Sequence, residues 1–235
     1  MNKVSENPFK NRVGMLRRSG SPSVSNQTAL MIVTALFVTL YLISNTMAVK
    51  VIGIFNLFYF DAGTITFPFA YMLGDVLTEI WGFRTAKRVI FLTFACNILM
   101  VVCTHIGVHL PSPDYLDSTA VAYNTIFAYV PRIVLASLAG FLLGELSNAW
   151  LMEKMRKITG KHLWVRTIGS SMVGYIFDTV PFVLIAFAGI LTVRDILLMI
   201  ALQYVMKIAI EACIGTPLAY AAVAAIRRTY ILHNK

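Results

Sequence analysis

The residues best suited to chemistry lie in one apolar stretch from Pro68 to Arg88, which reads PFAYMLGDVLTEIWGFRTAKR. Asp75 and Glu79 are four residues apart, so a helix would place both carboxylates on one face. A carboxylate at the centre of a bilayer costs about 2.5–3.5 kcal/mol even on the mild insertion scales. Two of them on one face therefore predict a membrane helix that lines a polar site. The cluster of cations that ends the stretch is typical of a cytoplasmic anchor.

The composition is that of an integral membrane protein. Of the 235 residues, 58% are apolar and 13% are charged, and the mean hydropathy is +0.73, whereas a soluble domain carries about 25% charged residues. Segments of about 20 residues can cross a hydrocarbon core, and six are long enough: 29–49, 63–82, 88–108, 123–152, 167–190 and 195–226. The predicted fold class is an all-α membrane protein with six transmembrane helices.

The segments outside these spans complete the predicted organisation. Residues 1–27 form a disordered basic tail, 28–228 a single transmembrane domain and 229–235 a short C-terminal tail. Residues 51–60 are apolar but too short to span, and we expect them at the outer interface. The last span exceeds the bilayer thickness, and we expect it to tilt, project or bend, with a bend placed at Gly215-Thr216-Pro217.

Positive charge is concentrated on one side of this predicted topology. The N-terminal tail, the loops after the second and fourth spans and the C-terminus hold 16 of the 20 lysines and arginines. The positive-inside rule then places both termini in the cytoplasm, which requires an even number of spans. The net charge of +9 is thus a topology signal rather than a sign of a nucleic-acid partner, and contact with anionic lipid follows from it.

Several polar residues fall inside the predicted spans and carry the candidate site. The charged ones are Asp75, Glu79, Arg132, Glu145, Asp178, Lys207 and Glu211, and the amides are Asn45, Asn97, Asn148 and Gln203. Their helical spacing gives polar stripes on four helices, which predicts one shared cavity near the midplane, the usual place of a substrate site in small carriers. Phe67 lies near enough to these stripes to stack on a ring ligand.

The charges within the spans are not balanced. Five acids against two bases leave a surplus of three acids. Buried unpaired carboxylates either take up protons or bind a ligand that is rich in hydrogen-bond donors. A guanine-like base has this chemistry, because its N–H and amino group suit one carboxylate and its carbonyl suits an amide or guanidinium donor. Proton uptake by a remaining acid is a further hypothesis, as a means of coupling transport.

Most of these residues also have a structural interpretation. Lys207 and Glu211 could neutralise each other on one helix so that the span inserts. Asn45 could be a hydrogen bond between helices, and Glu145 and Arg132 lie near span ends, where snorkelling is possible. The two aspartates at the span centres are shorter, deeper and the hardest to explain structurally.

Other functional classes have weaker support. His105 and His109 have metal-ligand spacing, but an interfacial role is favoured, and no metal or cofactor is expected. Cys96, Cys103 and Cys213 have no CxxC spacing and are interpreted as small buried hydrophobic residues. The sequence has no GxxxxGK(S/T), HExxH or GxSxG motif, so nucleotide-powered transport by this chain alone and hydrolysis are disfavoured. The protein is not expected to be an enzyme.

Short motifs between residues 30 and 226 match a known pattern. They are Ser44-Asn45, Ala62-Gly63-Thr64, Phe67-Pro68-Phe69, Asp75, Glu79, Gly82, Ala86-Lys87-Arg88, Arg132, Ala136-Ser137, Leu163-Trp164, Arg166-Thr167, Gly174, Asp178-Thr179, Phe182, Lys207 and Pro217. In combination they resemble the queuosine precursor transporters, also called the vitamin uptake transporter family. Each motif alone is weak, but the combination is specific.

The resemblance implies a function and a set of site residues. It implies six spans in the bacterial inner membrane and import of 7-deazaguanine compounds for tRNA modification: 7-cyano-7-deazaguanine (preQ0), 7-aminomethyl-7-deazaguanine (preQ1) or queuine. The residues carried over by match are Asn45, Asp75, Arg132, Asp178 and Lys207. The family allows variation at Glu79, Glu145, Asn148, Gln203 and Glu211, which complete the expected substrate-binding set and could tune the choice of deazapurine.

The resemblance leaves alternatives open. A fold akin to the substrate-binding subunits of energy-coupling-factor transporters is implied by analogy only. The chain could therefore be a substrate-capture subunit that needs a separate ATPase module. A purely structural or receptor-like membrane protein is a third class, and it would not need charge stripes on four helices. The oligomeric state, including a homo-oligomer, stays open.

Overall fold

Long helices make up most of the computed structural model, which describes residues 24–54, 58–128, 130–159 and 162–233. In chain order they are α1 (Val24–Ala48), α2 (Gly63–Trp81), α3 (Phe83–His109), α4 (Asp117–Ala128), α5 (Val130–Thr159), α6 (Leu163–Phe187), α7 (Val193–Ile210) and α8 (Thr216–His233). A 3₁₀ turn, Asp114–Leu116, precedes α4. A π-helical turn, Glu211–Gly215, joins α7 to α8.

Among the described residues, five helical runs are long and apolar enough to cross a membrane. They cover residues 26–48, 83–109, 117–158, 163–187 and 193–228, so that α4 with α5 forms one run and α7 with α8 forms another. The remaining long helix is α2, whose 19 residues include two buried acids. The architecture is that of an all-α, multi-pass membrane protein.

The helix α2, which carries Asp75 and Glu79, lies at the centre of the bundle. Fourteen of its 19 residues are buried, and it packs against α1, α3, α5, α6, α7 and α8. Its acidic side chains are therefore surrounded by other helices. The buried position explains how a helix with two carboxylates is accommodated in an apolar bundle.

The short apolar segment after α1 forms a β-hairpin. Strand β1 (Val51–Ile54) pairs antiparallel with β2 (Phe58–Asp61), and Val51 lies opposite Asp61. Pairing satisfies backbone groups that an apolar surrounding would leave without partners. The location of the segment at the outer interface stays a prediction. Residues 1–23 of the predicted tail lie outside the described residues, whereas 24–27 belong to α1 and α8 continues to His233.

The last span changes its helical geometry near the predicted bend. The π-helical turn from Glu211 to Gly215 comes directly before Pro217. Proline lacks an N–H and its ring collides with the carbonyl of the fourth preceding residue in a regular α-helix. A π turn is an ordinary way to accommodate such a position, and such turns are frequent at functional sites.

Close packing of α5 on α6 depends on glycine. Gly140 and Gly144, one turn apart on α5, face the backbone of Asp178 and Gly174 on α6. A Cβ atom on either α5 glycine would overlap atoms of α6. Small residues at this spacing allow membrane helices to approach closely, and here they hold Asp178 against the bundle interior.

The cysteine prediction is wrong for two residues. Cys103 and Cys213 are exposed on the helix surfaces, and Cys96 is half-buried. In a membrane protein the surface that faces lipid is as apolar as the core, so an apolar neighbourhood in the sequence does not distinguish the two.

Candidate functional site

A narrow polar pocket opens where the end of the hairpin meets the helices. Its cavity volume is about 20 Å³, which is room for about one water molecule, and the wider opening of about 290 Å³ includes open solvent. Its lining consists of Ser44, Asn45, Ala48, Asp61, Gly63, Thr64, Phe67, Ser137, Asp178, Phe182 and Lys207. Four of the predicted binding residues are thus brought together from α1, α2, α6 and α7.

An ion pair between α7 and α6 dominates the pocket. The Lys207 ammonium donates to Asp178 Oδ2 at 2.6 Å and to Thr179 Oγ1 at 3.1 Å. It also lies 4.7 Å from the centre of the Phe67 ring. Both charged side chains are only about 5% exposed. The pocket therefore offers an anion, a cation and an aromatic face within a few ångströms.

The pairing of Lys207 differs from its structural interpretation. In the structural interpretation Lys207 could neutralise Glu211 one turn away on the same helix, but its ammonium pairs with Asp178 on α6 instead. Glu211 begins the π-helical turn and accepts a hydrogen bond from the Tyr175 hydroxyl at 3.0 Å. That interpretation is wrong because the partner is chosen by helix packing rather than by helical spacing.

Asn45 is half satisfied in the pocket. Its Oδ1 accepts a hydrogen bond from Ser137 Oγ, which links α1 to α5. Its Nδ2 is buried and has no hydrogen-bond partner in the part of the chain that the structure describes. The side chain is thus a link between helices and also presents a donor that a ligand carbonyl would satisfy.

Asp61 is a pocket residue that the sequence interpretation missed. It ends β2, outside the helical spans, and its carboxylate accepts hydrogen bonds from Thr64 N at 3.0 Å and Thr64 Oγ1 at 2.9 Å. Burial raises the pKa of the Asp61 carboxyl, although Lys207 and the Thr64 hydrogen bonds oppose the shift. The signal that could have found it is an acid three residues before a threonine at a helix start, which is a capping pattern.

Further along α2 lies a second group, the acid cluster, which comprises Asp75, Glu145, Asn148 and Glu211. All four side chains are buried. Asn148 Nδ2 donates to Asp75 Oδ1 at 2.9 Å, whereas both oxygens of Glu145 have no hydrogen-bond partner among the described residues. No lysine or arginine nitrogen of those residues lies within 4.0 Å of the three carboxylates.

Gln203 is the remaining buried amide of the predicted set. It lies one turn before Lys207 on α7 and is fully buried. Neither of its side-chain polar atoms has a hydrogen-bond partner among the described residues. It is not part of the pocket lining.

Glu79 forms a third polar group at the far end of α2. Its carboxylate accepts hydrogen bonds from Arg166 at 2.9 Å and from Arg227 at 2.7 Å. The sequence interpretation treated Arg166 as a loop charge, but it lies in α6 and is 4% exposed. Glu79 therefore joins α2 to α6 and α8, and it does not line the pocket of Asp178 and Lys207.

Arg132 lies outside the pocket. Its side chain is exposed and donates to the backbone carbonyl of Ile185 at 2.8 Å and to that of Ala188. These carbonyls end α6, where a cation and a donor are both favourable. Because Arg132 lies near the end of its own span, its guanidinium is close enough to donate hydrogen bonds to the last carbonyls of α6.

The histidine pair lies at the end of α3. Both side chains are exposed, and His109 Nδ1 is 2.9 Å from the backbone oxygen of His105. The described residues contain no group of three or more side chains that could hold a metal ion.

The predicted single cavity is thus divided into three groups along α2. Phe67, Asp75 and Glu79 mark the pocket, the acid cluster and the Glu79 group in that order. Twelve residues of helix span about 18 Å, which is too long for one small ligand to contact all three groups at once.

Residues 61–222 match a protein family described as "Putative vitamin uptake transporter". The match runs from Asp61 to Ala222, in the first half of α8, and covers more than half of the chain. The chain belongs to this family. All pocket residues except those on α1 fall within the matched range. The description of this family is that of a transporter.

Three bacterial proteins are similar to this chain. A "Probable queuosine precursor transporter" of Bacillus subtilis is 31% identical over 181 residues, which cover 76% of this chain and 78% of the relative. One of Haemophilus influenzae with the same name is 29% identical, with 60% and 59% covered. The "Queuosine precursor transporter" of Escherichia coli is 28% identical, with 55% and 56% covered. No solved structure matches the chain.

Proposed function

We propose that the protein imports queuosine precursors across the bacterial inner membrane and binds their 7-deazaguanine ring in the pocket of Asp178 and Lys207. The observation that carries the proposal is a buried ion pair that shares a pocket with an unsatisfied amide donor, Asn45 Nδ2. The names of the three relatives support the same class of substrate.

The hydrogen-bonding groups of 7-deazaguanine suit this pocket. Its ring N–H and amino group lie on one edge and can be accepted by the Asp178 carboxylate, while the neighbouring carbonyl suits Lys207 or Asn45 as donor. Phe67 and Phe182 line the same space and supply flat apolar surfaces for the ring. A pocket with one anion, one cation and one amide donor therefore suits the edge common to preQ0, preQ1 and queuine, and it must widen from its cavity volume of about 20 Å³ to admit the ring.

The proposed topology has six spans with both termini in the cytoplasm. It counts α2 as a span in addition to the five long apolar runs. The basic residues then place the Glu79 end of α2 on the cytoplasmic side. The pocket at Phe67 lies towards the outer side, so an imported ring passes the acid cluster on its way to the cytoplasm.

Ligand-induced stabilisation of the purified protein tests the binding proposal. We expect guanine-edge compounds (guanine, preQ0, preQ1 and queuine) to raise the thermal unfolding temperature in detergent, and Asp178→Asn to abolish that rise. Asp117→Asn is the matched control, because it removes the charge of an exposed aspartate at the start of α4. Equal stabilisation of the Asp178 variant and the wild type would overturn the assignment of the pocket.

Reconstitution separates the importer from a substrate-capture subunit. An importer should accumulate or exchange labelled preQ1 in proteoliposomes that contain this protein alone. A capture subunit should bind the compound in detergent but show no uptake without an ATPase module.

A further inference from the structure

We propose that a second, basic pocket near Glu79 binds the phosphate group of an anionic phospholipid. This basic pocket lies where α2, α5, α6 and α8 come together and contains about 1060 Å³ of space outside atoms, part of it open to solvent. Three arginines and one glutamate form its polar side: Arg156, Arg166, Arg227 and Glu79. The inference depends on the chain being in a membrane and not on the identity of the transported substrate.

The basic pocket carries an uncompensated positive charge. Arg166 and Arg227 each donate to one oxygen of Glu79, so one carboxylate faces three guanidinium groups. Arg156 is exposed and has no hydrogen-bond or ion-pair partner in the described part of the chain. Two positive charges therefore remain, and a phosphate group is the common biological anion that arginine binds with paired N–H donors.

The arginines keep donors available for such a ligand. Arg227 is 56% exposed and is bonded to Glu79 through one terminal nitrogen. A guanidinium has five N–H donors, so most of those on Arg227 and Arg156 are not used by the described residues. Arg166, which is buried, keeps Glu79 in place while the exposed arginines bind a ligand.

The rest of the basic pocket favours a lipid over a soluble phosphate compound. Its other wall is mainly apolar and consists of Leu163, Tyr220, Val223 and Ala224. The outer surface of α8 continues this apolar character, because Leu218 and Tyr220 are more than 40% exposed. A phospholipid matches both parts, since its phosphate meets the arginines and its glycerol and acyl chains follow the apolar surface.

Lipid-dependent stability of the full chain tests this inference. The protein is purified in a neutral detergent and titrated with phosphatidylglycerol, phosphatidylcholine or inorganic phosphate, and the thermal unfolding temperature is followed. We expect phosphatidylglycerol to stabilise the wild type more than phosphatidylcholine. The double substitution Arg156→Gln and Arg227→Gln should weaken the apparent affinity for phosphatidylglycerol about tenfold, as expected for the loss of charge-assisted bonds.

The matched control separates a specific site from a general charge effect. Arg84→Gln with Arg88→Gln removes two exposed cations at the start of α3, outside the basic pocket, and should leave the response to phosphatidylglycerol unchanged. An equal loss in both double variants, or equal stabilisation by both lipids, would overturn the inference. A response to inorganic phosphate as large as that to phosphatidylglycerol would assign the basic pocket to a soluble phosphate compound and overturn the lipid assignment.

Discussion

Removal of both members of the Asp178–Lys207 pair should destabilise the protein much less than the sum of the two single removals. The two groups are 2.6 Å apart and about 5% exposed, so neither can be hydrated when its partner is lost. A single neutral replacement of a buried pair costs about 3–5 kcal/mol, because it leaves one charge uncompensated. Replacement of both leaves no uncompensated charge, although the hydrogen bonds of Lys207 to Asp178 and Thr179 are still lost.

The structure places Asp178→Asn at the lower end of this range. Lys207 keeps the Thr179 hydroxyl at 3.1 Å and the Phe67 ring face at 4.7 Å, and a cation over an aromatic ring contributes up to about 2 kcal/mol when desolvated. We therefore expect a loss of about 3 kcal/mol for this variant. Lys207→Gln should cost at least as much, because it leaves a buried carboxylate in the pocket.

A double-mutant cycle measures the coupling. Unfolding free energies of the wild type, both single variants and the double variant are compared in one detergent at one pH. We expect the double variant to be more stable than the sum of the single effects by about 2–3 kcal/mol, at the upper end of measured couplings. Additive effects would show that the two side chains do not interact in the folded protein, and the pocket as described would be wrong.

Two further predictions concern the carboxylates on either side of this pair. Asp61→Asn should keep the cap on Thr64, because asparagine is as good a capping residue as aspartate, but should reduce the affinity for preQ1, which carries a cationic amine, more than that for neutral preQ0. Because burial raises the pKa of Asp61, its carboxylate takes up a proton at a higher pH than an exposed aspartate does. The preference of the wild type for preQ1 over preQ0 should therefore disappear at that higher pH as the pH falls. Equal effects of the substitution on both compounds in a competition assay would refute this role. Glu145→Gln should reduce the effect of an imposed pH gradient on uptake into proteoliposomes more than it reduces substrate counterflow. If uptake by the wild type does not change with the pH gradient, proton coupling is excluded.

The sequence predicted which polar residues avoid lipid, because the cost of exposing a charge to hydrocarbon depends on the residue itself. Asp75, Glu145 and Asp178 are all buried, as expected. Their partners could not be predicted, because pairing depends on how the helices cross. Gly140 and Gly144 allow α5 to contact α6 closely. A single sequence does not show which residues of α6 lie opposite these glycines.

The same reasoning explains the residues that were misplaced. Arg166 was counted with the cytoplasmic loop charges because four other cations precede it within 13 residues, yet it is the buried partner of Glu79. Asp61 directly follows the short apolar segment 51–60 and was overlooked there. Antiparallel pairing of β1 with β2 places it at the start of α2. The positions of both residues depend on the geometry of the connections between helices, and a hydropathy pattern does not predict that geometry.

The pocket and the acid cluster should respond differently to protons because their charges are balanced differently. Asp178 lies 2.6 Å from the Lys207 ammonium, which compensates the charge of its carboxylate without a proton. Glu145 has no hydrogen-bond partner for either oxygen in the described structure, and a buried carboxylate of this kind is stable only when it carries a proton or faces a ligand that donates hydrogen bonds. A transport cycle that exposes such a group to each side of the membrane in turn allows it to exchange protons with both. Substitution of Asp178 should therefore abolish binding at any gradient, whereas substitution of Glu145 should act on the gradient response.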